Sequence, residues 1–297
     1  MIEYDIYYMN HRGIKLNLVT RPYFLQTGAL FDSKWGYESI ALLSGGSKIK
    51  NFFREMRSIP LTLSIDVADD DTYVQSVNHF HDATDIDVIN SKPGRLYVGD
   101  YYLLGFFVDS TVDEWEYGIS CQDRELNFLA PNPVWRKDVE YRFSPIGNVG
   151  EYEYLDMPYD MPYDLYPDAS YQTVNNKYDK ACEFTMTIQG PVSNPSIVIG
   201  NHLYEVLANV YDGEYMLIDS EQGTVKRITN NGTEINLYNS RNKQSSLFQK
   251  IPPGMSSVSW NQTFYFNIIL HQERSEPEIG IYNNKSIRRR TGYIKGD

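Results

Sequence analysis

The sequence predicts a mainly β protein of two domains, the first carrying one helix and the second none. Three observations lead there. Short runs alternate apolar and polar residues with a period of two, as half-buried strands do. A single stretch, after Asp69-Asp70-Asp71, switches to a helical period. The third observation is length: at 297 residues the chain is near the size at which one core stops growing. The expected boundaries are 1–136 for the first domain and 137–276 for the second, with 277–297 as a basic tail.

In the first domain, Ile2 to Leu18 reads as a hairpin turning at Asn10-His-Arg-Gly13, with Ile14, Leu16 and Leu18 alternating after it. Thr20 to Lys50 shows no regular period, broken by Gly28, Gly36, Gly45 and Gly46, and is expected to be a long, protruding loop. Ile59 to Val67 is a strand whose inner face is Leu61, Leu63, Ile65 and Val67. A helix is expected over Thr72–Ala83, capped by the three aspartates and buried through Tyr73, Val74, Val77 and Phe80. Arg95–Val98 and Tyr101–Val108 form a hairpin around Gly99-Asp100. Glu114–Gln122 is the next strand, with Trp115, Tyr117, Ile119 and Cys121 on its apolar side, which predicts a buried thiol at Cys121. Asn127 to Trp135 closes the domain.

Glu151 to Asp168 separates the two β regions. It holds six acidic residues, five tyrosines, three prolines and no base. Proline near every fourth position removes amide donors and fixes φ, so an extended arm is expected rather than helix or central strand. Beyond it, Phe184, Met186 and Ile188 alternate with polar neighbours. Turn signals then recur about every ten residues at Asp212-Gly213, Gln222-Gly223 and Asn231-Gly232, the spacing of short antiparallel strands in a sandwich or barrel. The last strand is Thr263–His271, burying Phe264, Phe266, Ile268 and Leu270.

The net charge of −12 argues against a grip on nucleic acid, which works through basic side chains displacing counterions. The basic residues Lys285, Arg288, Arg289, Arg290 and Lys295 cluster in the tail, which reads as a solvated terminus or a segment that docks on an acidic neighbour. Two cysteines, Cys121 and Cys182, make no disulfide framework. With no apolar run of transmembrane length and no signal-peptide pattern, folding in a reducing cytosol is expected.

Chemistry is sparse. His79, His81, Asp82, Asp85 and Asp87 form the densest ligand-like cluster, but the histidines are two apart and point to different helix faces, so a solvated helix end is expected. The arm aspartates cannot share one calcium ion: four residues of extended chain advance about 12 Å, whereas the ion needs oxygens at about 2.4 Å. No phosphate loop, dinucleotide fingerprint or nucleophile elbow occurs, so no cofactor, metal or catalytic residue is assigned. Within the arm, Tyr159, Asp160, Tyr163 and Asp164 are the candidate interface residues.

Several stretches, taken in series, resemble the distal tail (Dit) proteins of long-tailed phages of Gram-positive bacteria. They are Gly94-Arg-Leu-Tyr-Val-Gly-Asp-Tyr-Tyr-Leu103, Pro131-Asn-Pro-Val-Trp135, Met157-Pro-Tyr-Asp-Met-Pro-Tyr-Asp164, Gly213-Glu-Tyr-Met-Leu-Ile-Asp-Ser220, and Ser246-Leu-Phe248 before Pro252-Pro-Gly254. The resemblance implies an N-terminal β-sandwich or belt domain and a galectin-like C-terminal β-sandwich. It implies a homohexameric ring in the virion, at the distal end of the tail, assembled in the host cytoplasm. Its partners would be further copies of itself, the tail tube protein, the tail-tip or hub protein and a receptor-binding protein. DNA would pass through the lumen without specific binding, helped by negative charge, and no membrane is involved. The alternative reading is a carbohydrate-binding adhesion module recognising host cell-wall glycans, with a glycan hydrolase as a distant third. The resemblance names no catalytic residue.

Overall fold

The computed structural model describes residues 5–112, 120–145 and 173–278. The chain divides into two compact units, Met1–Trp135 with Ser275–Asp297, and Arg136–Arg274. Strands dominate both, and among the described residues there is one α-helix.

The first unit begins with β1 (Ile6–Met9) and β2 (Lys15–Asn17), then β3 (Val19–Thr20) and β4 (Tyr23–Gly28). The hairpin strands β5 (Gly36–Ala41) and β6 (Ser47–Phe53) pair only with each other. The long strand β7 (Arg57–Asp66), helix α1 (Asp70–Ile89), β8 (Gly94–Val98), β9 (Tyr101–Thr111) and β10 (Cys121–Ala130) complete it. The antiparallel order is β2-β1-β8-β9-β10-β7-β4-β3. Within the first unit, strand β9 serves two neighbours in turn. Tyr101–Gly105 pair with β8, and Phe106 onward pairs with β10. Gly105 stands at the changeover, where a Cβ would collide with the Leu129 carbonyl and the Phe128 ring. The absence of a side chain there lets the backbones approach.

Helix α1 starts where the aspartates predict. Asp69 is the N-cap, accepting from the Thr72 amide at 2.8 Å and the Thr72 hydroxyl at 3.0 Å, and these bonds hold its carboxyl below the usual range. The helix runs to Ile89, six residues past the predicted end. Polar residues disguise its inner face: Ser76, Thr84 and Asp87 are buried beside Tyr73, Phe80 and Ala83, whereas Val74, expected inside, is exposed. Ser76 and Thr84 satisfy their hydroxyls on the preceding helical turn, through the Thr72 and Phe80 carbonyls. Phe80 packs against Tyr23 and Phe107, with ring centroids 6.0 and 5.6 Å away.

Asp87 overturns the expectation of a solvated helix end. It is fully buried. Tyr8 Oη donates to Oδ2, while the His11 amide (3.0 Å) and the His11 ring Nδ1 reach Oδ1. Burial first, and then this bond to Asp87, push the Tyr8 hydroxyl well above its ordinary pKa. Asn10 completes the join, donating to the Ala83 carbonyl at 3.0 Å and accepting from the Arg12 and Ile14 amides to shape the turn.

Two further expectations are corrected. Thr20 to Lys50 is not a loop: it contains β4, β5 and the start of β6. Cys121 is exposed, not buried. On β10 the inward residues are Leu126, Phe128 and Ala130, so the even positions face the core. Gln122, one residue on, accepts from the helix residue Tyr73 at 2.6 Å. Cys121 is therefore out of phase. Trp115, Tyr117 and Ile119 lie outside the described residues.

The second unit holds β11 (Trp135–Phe143), β12 (Thr173–Asn176), β13 (Glu183–Gln189), β14 (Val192–Ser193), β15 (Ser196–Ile199) and β16 (His202–Glu205). It continues with β17 (Asn209–Val210), β18 (Tyr215–Asp219), β19 (Thr224–Ile228), β20 (Glu234–Asn236), β21 (Gly254–Trp260) and β22 (Phe266–Arg274). One sheet has the order β20-β19-β18-β13-β22-β11 and the other β12-β21-β15-β16. Their inner faces make one core: Phe184, Met186 and Ile188 of β13 and Ile268 and Leu270 of β22 meet Val174, Ile197, Tyr204 and Val258. The turn glycines Gly213, Gly223 and Gly232 have φ of +73°, +61° and +79°, the left-handed region their sequence positions predict.

A half-buried ion network ties this unit. Arg136 grips Glu221 with two bonds, at 2.8 and 2.5 Å, and reaches Glu273 at 3.1 Å; Lys180 meets Glu273 at 2.7 Å. Burial alone would raise the Glu273 carboxyl, but Lys180 and Arg136 together hold it below the ordinary range.

Both packed polar groups can be tested by substitution. At Gly94, on β8, a Cβ would strike both the Tyr8 hydroxyl and the Asp87 carboxylate. Gly94→Ala is expected to lower unfolding stability by about 1–3 kcal/mol in a denaturant titration; an unchanged midpoint contradicts this. For Glu273 the folded pKa is depressed, so its contribution is complete above the ordinary carboxylate value of about 4.3 and disappears as pH falls through the lower folded value. Glu273→Gln should cost about 1–3 kcal/mol at pH 7, with the difference from the parent closing in acid. A pH-independent difference refutes the assignment.

Candidate functional site

Among the described residues of the first unit, the β5–β6 hairpin is left largely uncovered along its whole length. Six register pairs join its strands, from Gly36 with Phe53 to Ala41 with Ser47, and a bulge falls between Glu38 and Ser39. Its tip is Leu42 to Gly46. Gly45 and Gly46 have φ of +88° and +83°, a conformation that other residues rarely adopt, and the Leu42 amide donates to the Gly46 carbonyl at 3.0 Å.

Cross-strand partners share a face, so Tyr37 with Phe52 and Ser39 with Ile49 lie on one side, and Glu38 with Asn51 and Ile40 with Lys48 on the other. The first side is apolar and open. Tyr37 is 64% exposed, Phe52 56%, Ile49 49%, and Leu43 at the tip 111%. A two-stranded hairpin is marginal in water by itself, and this one has two unpaired backbone edges among the described residues.

Its base is fixed. The Arg54 guanidinium lies 4.1 Å over the Trp35 ring and donates to the Pro133 carbonyl (3.2 Å) and the Ser275 hydroxyl (2.5 Å). Arg57 ties the following strand to Asp32 and to the Ala29 carbonyl. A rigid base with an uncovered apolar shaft suits contact with another protein surface. Full burial contributes about 1.5–3 kcal/mol for each large apolar side chain, against several kcal/mol for lost freedom on association.

The interface residues expected from the sequence, Tyr159, Asp160, Tyr163 and Asp164, lie outside the described residues. Sequence reasoning missed the hairpin because its strands carry Glu, Ser, Lys and Asn among the apolar residues. The signal that could have found it is Leu42-Leu-Ser-Gly-Gly-Ser47, a glycine turn flanked by two short runs of strand formers.

No catalytic arrangement accompanies the hairpin. Among the described residues, no group of three or more His, Cys, Asp or Glu side chains is placed to hold a metal, and no helix is long and apolar enough to cross a membrane. Burial pushes the Cys182 thiol up to about 12, which leaves it unreactive at neutral pH. Trp260 packs edge-on against Phe143 and Phe266, with ring centroids 5.6 and 5.2 Å away, rather than offering a flat open face to a sugar.

Neither a protein-family model nor a curated protein sequence matches the chain. Solved structures do. One is a crystal structure of the Dit protein of phage SPP1, described as a paradigm of the hub adsorption apparatus in phages infecting Gram-positive bacteria: TM-score 0.54 and 10% identity, over 92% of this chain and 99% of that one. A chain of the phage P2 baseplate in its activated conformation with Ca matches at TM-score 0.60 and 10% identity, over 93% and 100%. The Sr form of that baseplate gives 0.60 and 12%, over 92% and 99%. Over 92–93% of its length, this chain matches the fold of the SPP1 Dit protein and of the phage P2 baseplate chain.

Proposed function

We propose that the chain is a structural, non-enzymatic part of a phage tail, forming a homohexameric ring at its distal end in the virion. The ring joins the tail tube to the tip or baseplate hub and lets DNA pass. The observation that carries this reading is the end-to-end match, over 92–93% of this chain and 99–100% of the others, to proteins of a hub adsorption apparatus and a baseplate. The domain roles follow: the first unit is the ring-forming belt and the second an outward module.

The uncovered hairpin supports self-assembly. A closed ring needs each copy to present one surface and receive it on another, and β5–β6 is an apolar projection fixed at its base. The arm of residues 151–168, with Tyr159, Asp160, Tyr163 and Asp164, supplies a second strip for neighbouring copies or for adsorption parts. The charge of −12 suits a lumen that repels DNA phosphates instead of holding them.

Mass photometry and negative-stain electron microscopy of the purified chain test this. The expected particle is a ring of about six times the 34.4 kDa chain mass. The triple variant Tyr37→Ser, Ile49→Ser, Phe52→Ser alters exposed positions, so its subunit stability should stay within about 0.5 kcal/mol per site of the parent while the ring population falls sharply. Monomers at every concentration, or a variant that closes rings as well as the parent, would count against the proposal.

A further inference from the structure

On the first unit, the last turns of α1 and the far half of β9 enclose an open groove of about 470 Å³. Its floor is apolar: Phe80 and Val88 from the helix, Phe107 and Val108 from the strand, with Ile89 at the end. Val88, Ile89 and Val108 are 44%, 77% and 50% exposed, so three large apolar side chains gather uncovered in one place. The rim is acidic. Asp85 and Asp109 stand on either side, and His81 lies 4.0 Å from Asp85. The helix also ends here with no basic residue in its last turn, so it supplies no cation of its own to the negative end of its dipole. An apolar floor with a negative rim suits a segment carrying both aliphatic and basic side chains.

The C-terminal segment has that composition. Beyond Glu278 there are 297 − 278 = 19 residues, with five bases, one acid and the run Ile287-Arg-Arg-Arg290. The chain reaches Glu278 at a known place: Ser33 holds Glu276 at 2.9 Å, and the Tyr101 hydroxyl bonds Glu278 at 3.2 Å. Tyr101 begins β9, and Phe107, on the same face by alternation, lies six residues further along, about 20 Å at 3.3 Å per residue. Ile287 is nine residues past Glu278, and nine extended residues span up to about 30 Å. The tail is therefore long enough to run beside β9 and bring Ile287 and the three arginines onto the groove.

We propose that the basic C-terminal segment of the same chain docks in this groove, with Ile287 on the Val88–Val108 floor and Arg288–Arg290 against Asp85, Asp109 and the helix end. Such docking does not depend on the ring. It is tested by disulfide trapping in the full chain, with Cys121→Ser to remove the exposed native thiol. The pair Val88→Cys with Arg289→Cys should form an intramolecular disulfide about tenfold faster than the control Val74→Cys with Arg289→Cys, which places the partner thiol near the other end of the helix. Asp85→Asn with Asp109→Asn should bring the faster rate down towards the control. Amide exchange over Thr84–Ile89 should quicken when residues 279–297 are removed. Equal trapping rates for the two pairs, or exchange unchanged by truncation, overturn the proposal. Disulfides that join two chains give the groove to a second copy and overturn it as well.

Discussion

Asp87 sits without solvent contact where the β1–β2 turn, helix α1 and strand β8 meet, and a polar group in that place needs bonding partners. Its carboxylate is satisfied from one side by Tyr8 and from the other by the backbone and ring of His11, while Gly94 on β8 leaves the space these groups occupy. The bonds come from the first hairpin and the space from β8, so the helix end, that hairpin and β8 adopt their places together. Apolar burial alone would tolerate a shifted helix; a buried carboxylate with fixed donors does not. The position of α1 in turn determines where Phe80 meets Tyr23 and Phe107, the aromatic centre of the unit.

The second unit solves the same problem differently. Its sheets face each other through side chains that alternate with little interruption, and several of its buried polar groups find partners within the unit. Ser220 mediates one of them, donating to Glu183 and accepting from the Phe184 amide, both at 2.7 Å. Arg136, with Glu221, Glu273 and Lys180, forms another. Among the described residues no α-helix covers these sheets; the two layers cover one another. In the first unit α1 is that cover, and Tyr73 and Tyr23 stitch it to the sheet through Gln122 and the Ser76 carbonyl.

Where one face of a strand is wet and the other dry, the sequence announces it. Phe184, Met186 and Ile188 on β13, and Leu61, Leu63 and Ile65 on β7, are directly legible, as are the glycines of the tight turns and the Asp69 cap. Three things are not. The second half of α1 buries Thr84 and Asp87, and a polar residue with an internal partner looks the same in a sequence as one facing water. Cys121 falls on the wrong face when one parity is carried through from Trp115, because the inward parity of β10 is set by Leu126 and Phe128. The β5–β6 hairpin has no core to pattern against, so its Tyr, Ile and Phe residues follow no alternation that burial would impose.

An uncovered apolar finger on a free subunit has a cost before any assembly exists. Freshly made chains present Leu43 and its neighbours to one another at whatever concentration the cell reaches, and indiscriminate clumping competes with ordered closure. The excess of acidic over basic residues, 39 against 27, supplies a counterweight: like-charged subunits repel at long range and stay colloidally dispersed. In the proposed ring, only an approach that aligns the finger with a receiving surface on the next copy would gain enough short-range contact to overcome that repulsion. Raising the ionic strength would shorten the reach of the repulsion, so salt becomes a lever on the choice between ordered growth and precipitation.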